Sequence, residues 1–534
     1  MSESAKKQTF LHGTALLALA TAIVKVIGAL YKIPLNAIIG PQGFSYYMSA
    51  YEIYTVLLMI STAGLPVAMS RMISEASALG SYRRMRKIYS VCRAIFLGLG
   101  LAGSLLMTVF CKQLAGFLEQ PDAWIAIACL GPSCFLICLM STYRGFFQGQ
   151  GNMLPTSVSQ VLEAVCKLVV GMAAALLLLH FTKSVPHAAG GAILGVTFSC
   201  LLSSVYLGHC FRKAFRELPR SRERAGSGKA VAKALLAIAV PITIGSAGMQ
   251  LLNILQTRIY MSQLLDTIGV TQDRADTMKG IYNMTQTIFN MPCAFITPIT
   301  VSVLPAITAQ LTRGDHPAVK ATEESAVRIT GLIAAPCALG LLLLSDPVTA
   351  LLGGYSGENL ILSSRLMRVL GLCVFFNSIM LVTNAIMQAH GHATTPVINL
   401  FIGGGVAVAT VFMLTGNPNI GIVGAPIGTL LCNICVTILN LFSMWKVIQN
   451  PPRVVRNVLR SLLAAIIMGA AAYGTWQGLI ALLGRDMSRV IACGVPILVG
   501  VIVYAVAAIK LRAITREDCL LLPKGEKIAK MLHL

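Results

Sequence analysis

Within stretches that otherwise read as lipid-soluble, the sequence places four charged side chains, Lys25, Glu52, Glu163 and Lys167. Lys32 is an internal candidate as well, while Arg71 and Arg144 sit nearer the ends of their apolar runs. A charge at the centre of a bilayer costs at least about 2.5–3.5 kcal/mol on insertion scales, so each is a functional hypothesis by default. Glu163 and Lys167 are spaced i,i+4, on one helix face, and can pair. Lys25 and Lys32 also share a face. For Glu163 and Lys167 the competing reading is a structural ion pair between helices. For Arg71 and Arg144 it is a side chain snorkelling to the water boundary. Two polar stripes add uncharged candidates, Gln250, Asn253 and Thr257, then Asn283, Gln286 and Asn290. They could be helix–helix hydrogen bonding or a wet cavity wall.

The elements that carry these residues follow from composition. Charged residues are 12% of the 534 and hydrophobic ones 56%, and mean hydropathy is +0.76. A soluble domain carries roughly 25% charged residues, so the chain reads as an all-α integral membrane protein. A spanning helix needs about 20 mostly apolar residues. Candidate spans are 11–38, 45–71, 90–117, 123–145, 154–180, 189–211, 234–258, 280–307, 326–345, 365–388, 396–414, 420–445, 458–482 and 488–510, about fourteen in all. The first run extends past Leu30 and carries Lys25 and Lys32, which predicts an uncleaved helix rather than a signal peptide.

Net charge is +22, but the basic residues fall in short segments between spans. That is the pattern of cytoplasmic loops, not of a nucleic-acid surface. Arg83 to Lys87, Arg212 to Lys233, Lys446 to Arg460 and Lys510 to Arg516 share one side if the span number is even. The opposite loops are acidic or neutral, such as Glu119 with Asp122, Asp266 with Asp273 and Asp276, and Asp346 with Glu358. Both termini are therefore expected in the cytoplasm. Most of the fifteen cysteines lie inside apolar runs, as packing residues; "CNIC" at Cys432–Cys435 lacks the βαβ context of a redox motif. His390 and His392 are too few for a metal site. Neither a phosphate-binding loop nor paired catalytic carboxylates occur, so no enzyme activity and no cofactor are expected. Transport would draw on an H+ or Na+ gradient, the membrane potential or the substrate gradient.

Internal matches recur in order. "ALLALA" (Ala15–Ala20) returns as "ALLAIA" (Ala234–Ala239), Tyr47, Ile53 and Tyr54 return as Tyr282, Ile288 and Phe289, and "QGQGNMLP" from Gln148 returns as "QAHGHATTP" from Gln388. Together they predict duplicated six-helix lobes. The expected organisation is a first lobe over 1–211, a basic cytoplasmic linker over 212–233, a second lobe over 234–445, two added helices over 446–510 and an amphipathic cytoplasmic tail over 511–534. Repeated halves are a transporter signature.

Two stretches carry a family resemblance. "GLPVAMSRMISE" (Gly64–Glu75) resembles the end of the second helix of polysaccharide-exporting flippases. "YRGFFQGQGNMLPTSVSQVLE" (Tyr143–Glu163) resembles the fourth-to-fifth helix junction of the stage V sporulation protein B group. That group belongs with the MurJ-type lipid II flippases of the multidrug/oligosaccharidyl-lipid/polysaccharide exporter superfamily. The resemblance implies fourteen helices in two six-helix lobes around a central cavity with alternating access, and a groove for the lipid tail beside the last two helices. It implies transfer of an undecaprenyl-pyrophosphate-linked sugar to the outer leaflet of a bacterial plasma membrane.

Under that resemblance Lys25, Lys32 and Lys167 suit a pyrophosphate, which lysine binds as a point charge, and Glu163 keeps Lys167 charged and placed. The first lobe is the expected headgroup site, because spans 7 and 11 have no counterpart lysine and span 8 no central charge. The expected partners are a polyprenyl-pyrophosphate-linked oligosaccharide, membrane lipids and a coupling cation, acting on a monomer. The competing readings are a flippase for a capsule, teichoic or other polyprenyl-linked unit, a multidrug/cation antiporter (disfavoured by span number) and a membrane-embedded glycosyltransferase or polymerase. The last lacks the acidic outer loop it would need.

Overall fold

The computed structural model describes residues 3–219, 227–484 and 487–513. Among them every regular element is helical. In chain order the α-helices are α1 (Glu3–Met59), α2 (Leu65–Ala78), α3 (Tyr82–Val109), α4 (Cys111–Phe117), α5 (Trp124–Gly149), α6 (Leu154–Thr182), α7 (Val185–Arg216), α8 (Gly228–Ser262) and α9 (Gln272–Thr312). Then come α10 (His316–Leu343), α11 (Ser345–Leu352), α12 (Gly357–Ala389), α13 (Thr394–Thr415), α14 (Gly424–Val447), α15 (Val454–Leu483) and α16 (Arg489–Lys510). Twelve helical stretches among the described residues are long and apolar enough to cross a bilayer, thirteen with the bent pair Gly228–Val240 and Ile242–Thr267. One of them, Leu30–Ala78, contains a break at Gly40, whose φ of 71° and ψ of 172° leave the helical region just before Pro41. Proline cannot donate the i→i−4 bond, so the expected first span (11–38) ends and the second (45–71) begins at this break. The fourteen expected spans are consistent with these helices.

Two compact units divide the chain, Met1–Leu265 with Val270–Gly280, and Asp266–Gly269 with Ile281–Leu534. In the first, α6 packs on α7 and α1, α5 on α3 and α7, and α8 on α1, α2 and α3. Small residues set the closest approach. A Cβ at Gly195 on α7 would lie 2.3 Å from Gly171 Cα on α6, the small-residue contact typical of helices that pack in lipid. In the second unit, α10 packs on α12 and α15, α12 and α13 on α14, and α15 on α16. Its core includes Ile307, Val327, Val382, Ile386 and Met387. Packing puts α8 with the first unit, whereas the repeats place span 7 at the start of the second lobe.

Bulky apolar side chains face outward along whole helices, among them Leu101, Leu105, Ile398, Phe412, Leu498 and Val501. Lipid is the solvent that such surfaces require. The described cysteines are all free. One expectation needs correction. Asp273 and Asp276 do not lie in a loop, because α9 begins at Gln272 rather than near 280. The tail beyond Ala513 and linker residues 220–226 lie outside the described residues.

Candidate functional site

The junction "QGQGNMLP" shapes the first charged cluster. α5 ends at Gly149, Gly151 takes a φ of 76° that a side chain would resist, and Asn152 Oδ1 accepts from Leu154 N at 3.3 Å. Pro155 then sits in the first turn of α6, where its missing N–H costs nothing. The chain doubles back, and the end of α5 meets the beginning of α6. Arg144 Nη2 reaches Glu163 Oε2 at 3.0 Å, with side chains 15% and 27% exposed, and Arg144 Nε donates to Ser159 Oγ at 3.1 Å.

Glu163 therefore pairs with Arg144, not with Lys167, and the expected i,i+4 pair is replaced by an interhelical one. The guanidinium fork can hold Glu163 and Ser159 together, as an ammonium on the same helix cannot. Lys167 instead lies against ring faces, its Nζ 5.8 Å from the centre of Tyr31 and 5.9 Å from that of Tyr51. Such cation–π contacts are favourable by about 0.5–2 kcal/mol. Tyr31, Tyr47, Tyr51 and Tyr54 form a continuous run of ring contacts, 6.3, 5.0 and 5.9 Å between successive centroids. Lys32 is half-buried on α1, next in sequence to Tyr31. Arg144 thus holds Glu163 directly, and Lys167 follows one helical turn further along α6. The surplus of positive charge in a medium of lowered dielectric suits an anion.

A second cluster was not legible in the sequence. Lys279 is fully buried and its Nζ donates to Ser49 Oγ at 2.7 Å, Gln120 Oε1 at 2.9 Å and Glu52 Oε2 at 3.3 Å. Beside it Asp276 accepts from Gln120 Nε2 at 2.6 Å, Tyr46 OH at 3.1 Å and Gln272 Nε2 at 3.2 Å. Ser49 also bonds Gln120, and Gln42 donates to Asp273 at 3.0 Å. Here the lysine has two carboxylates around it and three protein acceptors, so the cage is chemically complete. It ties the first turns of α9 to α1. Close packing reinforces the tie, since a Cβ at Gly280 would fall 1.7 Å from the Pro41 carbonyl oxygen. Lys279 precedes the expected span 8, near the start of α9. The available signal was the series Asp273, Asp276, Lys279, one side chain per helical turn, which resembled a polar loop because it precedes the apolar run.

The other candidates are dispersed. Arg71 pairs with Glu75 at 3.2 Å, both more than half exposed, a geometry worth little in stability. Asn253, exposed, donates to the half-buried Gln250 at 3.4 Å, while Thr257 of the same stripe is buried. Gln286 is half-buried and belongs to the second unit. The side chain of Lys25 lies outside the described residues. In the second unit, Asn440 Nδ2 donates to Asn384 Oδ1 at 2.7 Å and to Thr383 Oγ1 at 3.1 Å, and Asn440 Oδ1 accepts from Asn399 Nδ2 at 2.9 Å. His390 also has a partner sequence reading did not foresee, Glu323 Oε1 at 2.6 Å from its Nε2.

Helical throughout its described regular elements, with twelve or thirteen stretches long and apolar enough to cross a bilayer, the protein is built as a polytopic membrane protein. The polysaccharide biosynthesis protein family model matches residues 10–311, and the MatE model matches residues 254–413. The chain belongs to the polysaccharide biosynthesis protein family. It is 26% identical to stage V sporulation protein B of Bacillus subtilis over 83% of this chain and 85% of that one. To the lipid II flippase MurJ of the same organism it is 23% identical over 74% of this chain and 75% of the relative. A solved structure of lipid II flippase MurJ in an inward closed conformation superposes with a TM-score of 0.69 at 15% identity, covering 93% of this chain and 99% of that one.

Proposed function

We propose that the protein is a flippase that moves an undecaprenyl-pyrophosphate-linked peptidoglycan precursor, lipid II, from the inner to the outer leaflet of a bacterial plasma membrane by alternating access, without ATP. The observation that carries this reading is that Arg144 engages Glu163 while Lys167, on the same helix as Glu163, rests on the ring faces of Tyr31 and Tyr51. A pyrophosphate headgroup supplies the missing negative charge. Lysine binds it as a point charge and arginine through its fork, and Lys25 joins them by its shared face with Lys32. Glu163 holds Arg144 in place while the site is empty. The similarity to MurJ supports lipid II as the cargo. The proposed organisation keeps a first lobe over 1–211, a linker over 212–233, a second lobe over 234–445 and two added helices, with both termini cytoplasmic and the chain acting as a monomer. Arg71, Glu52, Asn253 and Gln286 stay on the substrate path in this proposal, as contacts to sugar, water or the outer network.

A second reading is favoured by the family description itself, which names polysaccharide biosynthesis. It is transport of another polyprenyl-linked unit, with the same pyrophosphate chemistry and a different sugar. Depletion separates the two. Lipid II accumulating in the inner leaflet, with loss of its accessibility to an external probe, is the expected result. Normal lipid II accessibility together with loss of a capsule or teichoic polymer would transfer the assignment to the second reading.

A further inference from the structure

At one end of the second unit, the first turns of α10 and α15 pack together with basic faces toward each other. Lys320, Glu324 and Arg328 follow at four-residue steps on α10, and Arg453, Arg456 and Arg460 follow at helical spacing at the start of α15. With Asn457 and Ala513 they line a pocket of about 480 Å3. Helix-to-helix contacts normally bring unlike charges together, because like charges one turn apart or face to face are destabilising. Here five basic side chains share the pocket with the single carboxylate Glu324. That carboxylate is engaged by the backbone, accepting from Arg453 N at 3.4 Å. Lys320 donates to Asn450 Oδ1 at 2.6 Å, and Arg460 donates to the Arg512 carbonyl at 3.2 Å. These are neutral acceptors that orient the cations without discharging them. Asn457 Nδ2, one residue from Arg456, is buried and has no hydrogen-bond partner among the described residues. It is a donor with nothing yet to donate to.

The face of α15 beyond the pocket identifies the kind of anion. Leu463 and Ile467 follow Arg456 and Arg460 by two helical turns each, about 10 Å further along the same face of α15, and they are 46% and 49% exposed. Cations in the pocket with exposed apolar side chains two turns further along the same helix face match an amphiphile whose charged head meets water and whose chain lies in the bilayer. A soluble anion would use the pocket and leave those apolar side chains unused. The surplus of Lys and Arg places this pocket on the cytoplasmic side, where the surface is anionic and basic pockets between helices bind lipid headgroups.

We propose that this pocket binds the phosphate headgroup of an anionic phospholipid of the cytoplasmic leaflet, with an acyl chain along Leu463 and Ile467. The site is separate from the cluster on α5 and α6, and it stands whether or not the transported cargo is lipid II. The test is phosphatidylglycerol retention by the purified full-length protein in neutral detergent, read by native mass spectrometry against phosphatidylcholine. Wild type should prefer phosphatidylglycerol by at least about tenfold. Each basic residue near an anionic headgroup is worth roughly fivefold in affinity, so R456Q/R460Q should weaken retention by about 25-fold. R456K/R460K, which keeps the charge, should stay within a few-fold of wild type and shows that loss in the glutamine variant is not misfolding. L463Q/I467Q should weaken phosphatidylglycerol as well. Unchanged retention in R456Q/R460Q, equal retention of phosphatidylcholine by wild type, or competition by inorganic phosphate at the same concentration as the lipid would each overturn the proposal. The last outcome would identify a soluble anion as the ligand.

Discussion

The two junctions that the sequence repeats, α5 to α6 and α12 to α13, solve the same packing problem with different chemistry. Arg144 and Asn384 each stand four residues before the matched glutamines Gln148 and Gln388, and each points its polar group at neighbouring helices. In the first unit the partner is Glu163, at 3.0 Å. In the second it is Asn440, at 2.7 Å, which in turn holds Asn399 at 2.9 Å. Interhelical amide bonds in membranes contribute about 0.6 kcal/mol on average and up to about 1.7. They carry none of the insertion penalty of a charge, at least about 2.5–3.5 kcal/mol. At the matched position the second unit therefore uses amides in place of an ion pair, while its turn carries His390 on Glu323 from α10. The ion pair in the first unit, with Lys167 one turn further along α6, is the difference that the proposed anion site accounts for.

The largest expected effect separates charge used as a tie from charge used for a ligand. Lys279→Met removes the only cation in a complete, buried cage and leaves Glu52 and Asp276 facing each other. It should destabilise the folded protein by roughly 3–5 kcal/mol, the range for breaking a buried pair, visible as reduced membrane yield and an earlier thermal transition in detergent. A stable, fully folded Lys279→Met protein would mean that this cage is not structural and that charge has one role throughout the first unit.

Arg144→Ala comes next. It leaves Glu163 with no close partner and should cost about 3 kcal/mol, the low end of the same range because both side chains are partly exposed. The sharper variant imports the chemistry of the second unit. Arg144→Asn with Glu163→Asn should recover most of that stability and still fail to complement a flippase-depleted strain. Complementation by the double variant would erase the distinction between the two junctions.

Lys167→Ala should leave expression near normal and weaken substrate binding by about 1.5–3 kcal/mol, the range for a hydrogen bond to a charged group. Lys167→Arg should keep part of the activity, since the charge persists. The smallest effect is expected in the second unit. Asn440→Ala should cost about 1–2 kcal/mol of stability, measured by thermal unfolding, while complementation survives. Loss of transport with unchanged stability there would put substrate contacts in the second unit.

The spans were legible because solubility in lipid is a local demand, met within each run of about 20 residues. Lys32, Glu52, Arg144, Glu163 and Lys167 were legible for the same reason, as charges where a charge is expensive. Their partnerships were not. The i,i+4 rule applies within one helix and offered Lys167 to Glu163, whereas the partner found, Arg144, arrives from another helix across a turn. Lys279 escaped because its neighbours Asp273 and Asp276 resemble an outer loop. Only the early start of α9 converts those acids into a buried helical face.

The central claim is that the surplus cations of the first unit carry a pyrophosphate-linked cargo across the bilayer. The most direct measurement is the fraction of lipid II reachable by an external probe in cells depleted of their own flippase and supplied with either wild-type protein or the Lys32→Ala/Lys167→Ala variant at matched membrane levels. The account predicts that wild type restores external accessibility and that the variant leaves lipid II in the inner leaflet. Equal restoration by the variant would contradict it.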